Sequence, residues 1–277
     1  MTSKITSKPK PVYERASRAA LLGAVCASLL VGLPAAFAQP GDNAIVEARE
    51  ALRKKDRDRL AAARAAALAQ QHPLAMWADY FELSNRLADA LPEEVSGFFT
   101  RWSGTYVEDR LRNDWLLELG KRQDWANFAL EHPRFRMNDD REVQCYALVL
   151  EQMSGKEIRD TALAAWMAQR DADDGCALMA ASLFDAKVFN AADVWRKARA
   201  AAEANRPRAV RQAAMLVSLL NAGHAGDAMD NPARYLAGRT SAPNKTEAEL
   251  ATLALIRLAG TDPEFALAQL NERWDRA

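Results

Sequence analysis

The chain has 277 residues, with 37 basic and 37 acidic side chains and a formal net charge of zero at pH 7. That balance excludes the strongly basic surface on which general nucleic-acid or anionic-membrane binding depends.

Residues 1–38 read as a secretory signal peptide. Lys4, Lys8, Lys10, Arg15 and Arg18 form a basic leader, and an apolar run follows from Ala19 to Val31. Gly32 and Pro34 break that run before Ala36-Phe37-Ala38, an order that predicts cleavage between Ala38 and Gln39. Ala19 to Ala38 is also about long enough to span a bilayer, but Pro34 and the small residues after it favour cleavage over an anchor. Val25 ahead of Cys26 argues against lipidation. Cleavage removes five basic residues and one acidic residue, leaving 32 and 36 and a net charge of −4 on 239 residues. The expectation is a periplasmic protein with no stable membrane insertion after cleavage and no affinity for nucleic acid.

From 39 to 277 the pattern is all-α. Strong helix formers fill 43–71, and the prolines at 73, 92, 133, 207, 232, 243 and 263 mark helix starts or breaks. The spacing predicts helices at 43–55, 57–71, 73–88, 92–102, 106–120, 122–131, 139–153, 156–169, 173–185, 190–203, 206–222, 230–238, 245–259 and 262–275. Asn190, Thr261-Asp262-Pro263-Glu264 and Asp139-Asp140 read as helix starts; Gly120, Gly155 and Gly223 read as C-terminal caps. Apolar stripes such as Trp77/Tyr80/Phe81 and Leu111/Trp115/Leu116/Leu119 are faces by which neighbouring helices bury one another. His72-Pro73 and His132-Pro133 echo each other 60 residues apart, in keeping with helix pairs of about 30 residues. The expected architecture is an α-superhelix, or solenoid, of short paired antiparallel helices.

Export leaves Cys145 and Cys176 as an even pair. In an oxidising compartment such a pair predicts a disulfide, with two separate buried thiols as the alternative. One helix, 156–169, separates the two that carry them, so next-but-one packing places them side by side. A bridge needs Cα atoms within about 7 Å.

No catalytic constellation is visible. His72, His132 and His224 lie far apart without metal-ligand spacing, and His72 and His132 read as capping or exposed residues. Glycine patterns for nucleotide binding and a GxSxG elbow are missing, so no cofactor and no metal are expected. Glycoside chemistry needs a carboxylic acid kept protonated by an apolar pocket. Glu82, Glu118 and Glu142 are the candidates for it, and each fits better as the polar edge of an amphipathic helix.

Four strings carry a resemblance: HPLAMWADY, LRNDWLLELGKRQDWANF, RFRMNDDREVQCYAL and DDGCALMAA. Over roughly residues 73–260 the chain resembles the non-catalytic helical domain of soluble lytic murein transglycosylases. The resemblance implies a superhelix curled into a U, with a cysteine pair where Cys145 and Cys176 stand. In that family a separate lysozyme-like domain cleaves the β-1,4 bond between N-acetylmuramic acid and N-acetylglucosamine, forming a 1,6-anhydro product without water. The Glu-Ser, Gly-Leu-Met-Gln and Ala-Tyr-Asn strings of that domain do not occur here, so no catalytic residue transfers. The expectation is an incomplete superhelical domain over 39–277, its catalytic domain absent, that is inactive alone and positions the glycan strands of peptidoglycan. Arg110, Arg112, Arg134 and Arg136 are the side chains proposed to face glycan, with surface solvation as their plainer role. A different class also fits the helix pairs: a self-contained periplasmic scaffold of the tetratricopeptide type that binds a protein partner.

Overall fold

A computed structural model describes residues 41–237, 239 and 241–274. The predicted leader at 1–38 lies outside the described residues.

The first three helices, α1 (Asp42–Lys54), α2 (Arg57–Ala69) and α3 (Ala75–Asn85), pack through small side chains. Ala48, Ala51, Ala67 and Ala78 are wholly buried there, so the axes approach closely. Asp56 caps α2 by accepting the Arg59 N–H at 3.1 Å. His72 departs from expectation. It is buried, its Nδ1 accepts the Leu74 N–H at 3.1 Å, and its Nε2 lies 2.9 Å from Asp42 Oδ1. His72 is therefore neither exposed nor a side-chain cap of α3, whose N-cap residue is Leu74; it ties the turn before that helix to Asp42.

A 3-10 turn (Leu87–Asp89) leads to α4 (Pro92–Arg101), α5 (Tyr106–Arg122), α6 (Trp125–Glu131), a second 3-10 turn (His132–Arg134) and α7 (Arg141–Met153). Their shared core holds Phe98, Leu111, Trp115, Leu116, Leu119, Phe128 and Tyr146. The predicted stripe on α5 is therefore the buried one. Gly120 is not the cap of α5, however. The helix runs two residues further and ends on Gln123, whose φ of 57° is left-handed. Gly120 is buried inside the helix because the Tyr146 ring lies against it.

The rest of the chain forms α8 (Arg159–Ala168), α9 (Asp174–Asp185), α10 (Ala191–Glu203), α11 (Pro207–Val217), α12 (Leu219–Asp230), α13 (Pro232–Ala237), α14 (Lys245–Ala259) and α15 (Pro263–Gln269), followed by a π turn (Leu270–Trp274). Asn190 and Asp193 make a reciprocal capping box on α10, and Asp262 caps α15 with Pro263 in its first turn, both as predicted. The helix predicted at 206–222 breaks instead at Ser218, whose backbone is extended at φ −167° and ψ 156°. The Ser218 hydroxyl accepts the Asn221 N–H at 3.1 Å and starts α12, so Gly223 lies inside that helix and caps nothing.

Helices α3, α5, α7, α9 and α11 pack in succession as one layer, while α8 packs on α10 and α10 on α14 in the other. This is the all-α superhelix of short paired helices that the pattern predicts. No strand occurs among the described residues, and none of their helices is long and apolar enough to cross a membrane.

Candidate functional site

Where α3, α5, α7 and α9 lie side by side, a cleft of about 320 Å³ opens on their common layer. Ser84 and Asn85 close one end, Asp114, Glu118 and Lys121 form the α5 wall, and Glu142, Tyr146 and Asp174 form the opposite one. Each of these side chains is brought here by layer packing rather than by local sequence.

The carboxylates differ in state. Burial raises the Asp114 carboxyl above its ordinary range, against the lowering effect of the Tyr80 hydroxyl that donates to it at 2.7 Å. Burial and that same acceptor push the Tyr80 phenol up to about 12. Burial also raises Glu142, partly offset by the Gly175 N–H it accepts at 3.1 Å. The Tyr146 hydroxyl sits 3.5 Å from the same Glu142 oxygen, and burial raises that phenol too. Glu118 instead holds Arg122 at 2.7 Å, and Arg122 donates onward to the carbonyls of Leu87 and Ala88 at 3.1 and 2.7 Å. That clamp fixes the edge of the cleft.

Of the three carboxylates weighed for glycoside chemistry, Glu118 and Glu142 line this cleft and Glu82 does not. Glu82 pairs with Arg86 at 2.6 Å. The cleft offers carboxyl, amide and hydroxyl groups suited to a hydroxyl-rich ligand, and no nucleophile with an adjacent base. Among the described residues no group of three or more His, Cys, Asp or Glu is arranged to hold a metal ion.

One turn from Glu142, the layer is covalently locked. Cys145 of α7 and Cys176 of α9 form a disulfide with Cα atoms 4.9 Å apart, both wholly buried. The next-but-one packing inferred from spacing is the geometry found.

The four arginines divide. Arg112 is a correction: its side chain is 4% exposed, over the Phe99 ring at 4.2 Å, with Glu108 at 2.8 Å and Glu131 at 3.2 Å. These two acids, with Asp109 at 3.7 Å, hold the guanidinium inside the helix packing and leave it no surface to offer. Arg110 reaches the Tyr80 hydroxyl and Asp114 beside the cleft, at 3.3 Å each, and remains partly exposed. Arg134 pairs with Glu131 at 2.7 Å on the surface. Arg136 donates to the Thr105 carbonyl at 2.9 Å and pairs with Glu108 at 3.3 Å. Only Arg110 stands beside the cleft.

Two residues that spacing does not single out organise the site. Buried Asp109 accepts the backbone N–H groups of Arg136 and Met137 at 2.9 and 2.7 Å, pinning the loop that leads into α7. Buried Asp79 accepts the Trp102 indole N–H at 2.7 Å and the Arg64 guanidinium at 2.5 Å. An acid inside an apolar helix face is the available signal for Asp79; Asp109 looks like any first-turn acid.

The fold is a helical superhelix similar to that of soluble lytic transglycosylases. The Slt lytic transglycosylase of Pseudomonas aeruginosa, solved as an inactive E503Q mutant, is 27% identical with a TM-score of 0.50, over 82% of this chain and 37% of that one. The 70-kDa enzyme Slt70 of Escherichia coli aligns at 17% identity and a TM-score of 0.55, over 84% of this chain and 38% of that one. A 70-kDa soluble lytic transglycosylase solved in complex with bulgecin A aligns at 16% and 0.55, over 84% and 39%. The last two establish likeness of fold alone. The chain thus spans well under half the length of each of these proteins. No protein-family model and no curated protein matches it.

Proposed function

We propose that residues 39–277 are the superhelical part of an exported lytic transglycosylase and hold peptidoglycan glycan strands for cleavage by a separate lysozyme-like domain. The observation that carries this reading is the 27% identity to the Pseudomonas aeruginosa Slt enzyme across 82% of the chain. The activity so inferred is scission of the β-1,4 MurNAc–GlcNAc bond with a 1,6-anhydro product, in the periplasm, with no metal or nucleotide. The cleft between α3 and α9 supports a positioning role, since Asp114, Glu142, Asn85 and Ser84 present acceptors and donors to sugar hydroxyls.

The test is co-sedimentation of the purified chain with isolated murein sacculi, in parallel with affinity capture from periplasmic extract. Retention on sacculi that weakens severalfold in Asp114→Ala is the expected result. Failure to bind sacculi, with stoichiometric capture of one protein, would favour a tetratricopeptide-like scaffold and overturn the proposal.

A further inference from the structure

On the side of α9 away from the disulfide, a second cavity of about 420 Å³ lies between α8, α9, α10 and α11. Its walls are almost wholly apolar: Trp166, Leu178, Ala213 and Leu216 face it, with half-exposed Met215 among its lining residues. Asp174, Gln212 and Lys197 are the polar exceptions, and Lys197 lines the cavity while only 4% exposed. Its Nζ donates to the carbonyl oxygens of Trp166 and Gln169 at 2.5 and 2.7 Å, closing the open end of α8.

An ammonium carries three N–H donors, and two are used. No carboxylate pairs with Lys197 among the described residues. Asp173 is the nearest source of negative field, but its oxygens are committed: Oδ1 accepts the Cys176 N–H at 2.7 Å and Oδ2 the Gln169 amide at 2.6 Å. Asp174 lines the cavity too, so an anion is disfavoured near that residue and favoured only at Lys197. A buried cation without a contact counter-ion is costly, and burial accordingly pulls the Lys197 amine down to about 8. A largely apolar cavity of this volume with a few polar groups is the usual form of a small-ligand site.

We propose that this cavity binds a short-chain apolar carboxylate, its hydrocarbon against Trp166 and Leu216 and its oxygens on the Lys197 ammonium. The cavity adjoins the cleft at Asp174, but Trp166, Lys197 and Leu216 line the cavity alone, so the inference does not rest on murein binding.

The experiment titrates the full chain, methyl-labelled at methionine, with hexanoate and with 1-hexanol. The Met215 methyl signal, assigned from Met215→Leu, is the readout. Saturable hexanoate binding at least tenfold tighter than hexanol is expected. Lys197→Met should abolish that preference while hexanol still binds. Ala181→Phe, which fills the cavity from a partly exposed wall without touching Lys197, should abolish both. Should Lys197→Met fail to fold, the comparison of the two ligands and Ala181→Phe decide the matter. Equal affinities, no saturable shift, or a hexanoate shift unchanged in Ala181→Phe would overturn the site.

Discussion

Gly120 and Tyr146 touch so closely that a Cβ on the glycine would lie 2.4 Å from Cδ2 of the ring. The tyrosine is itself buried in the middle core against Trp125 and Phe128, so moving it costs those contacts. Glycine inside α5 is therefore a packing requirement between α5 and α7. Gly120→Ala is expected to destabilise the fold by about 1–3 kcal/mol through overpacking, despite the better helix propensity of alanine. Gly97 in α4 has nothing within 4 Å of its would-be Cβ. Gly97→Ala should stabilise by up to about 1 kcal/mol. Urea unfolding of the two variants, moving in opposite directions, checks the argument.

The Cys145–Cys176 bridge spans 31 residues and ties two helices that already pack together. Loop closure of that length restricts the unfolded chain by about 3–4 kcal/mol. Cys145→Ala with Cys176→Ala should lower stability by that order while leaving helical circular dichroism at low temperature unchanged. A loss of helix in the double variant would mean that the bridge also organises the native layer.

Lys197 makes stability depend on pH in a defined window. Its folded-state value, about 8, lies below the ordinary lysine value of 10.5, so the unfolded chain binds more protons between the two. Stability from this group therefore rises with pH from about 8 to 10.5 and is flat below. The neutral amine keeps two N–H donors for the Trp166 and Gln169 carbonyls. Relative to Lys197→Met, the wild-type chain should gain stability between pH 8 and pH 10.5. A gap that stays constant over that window would refute the buried-cation description.

Asp79 concentrates several contacts in one carboxylate. It holds Trp102 at 2.7 Å, Arg64 at 2.5 Å and Arg101 at 3.4 Å while almost wholly buried. Asp79→Ala removes the acceptor of the partly buried Trp102 indole N–H and the shared carboxylate of Arg64 and Arg101, which stay partly exposed, at an expected cost of about 1–3 kcal/mol. Asp79→Asn, which keeps one acceptor oxygen, should lose less in the same unfolding measurement.

What was legible in the chain was local. Asn190 with Asp193, and Asp262 with Pro263, declare their helix starts because a cap needs only residues three apart. The cysteine pair was legible because one intervening helix fixes next-but-one packing. The break at Ser218 was hidden: apolar spacing runs through it, and a glycine five residues on is the louder signal. Gly120 carries no local sign of its role, which is set by Tyr146 in another helix, and Arg112 none of its burial, because its acids come partly from α6. The cleft was not visible at all, since its walls meet only when α3, α5, α7 and α9 form one layer. Glu118 and Glu142 could be nominated from helix position, but nothing in their spacing tells which is paired and which is held above its ordinary range.

That difference decides what the cleft does chemically. Protonating a glycosidic oxygen requires a desolvated acid directly over a bound sugar. Glu118 and Glu82 are occupied by ion pairs with Arg122 and Arg86. Asp114 and Glu142 combine burial with a raised carboxyl, yet Asp114 accepts the Tyr80 hydroxyl, and one Glu142 oxygen is already engaged by the Gly175 N–H and the Tyr146 hydroxyl. Purified residues 39–277 are therefore expected to release no anhydromuropeptides from murein, and Glu142→Gln to leave the chromatogram of digested sacculi unchanged. Anhydro products above a boiled control that vanish in Glu142→Gln would make this cleft an active site rather than a positioning surface.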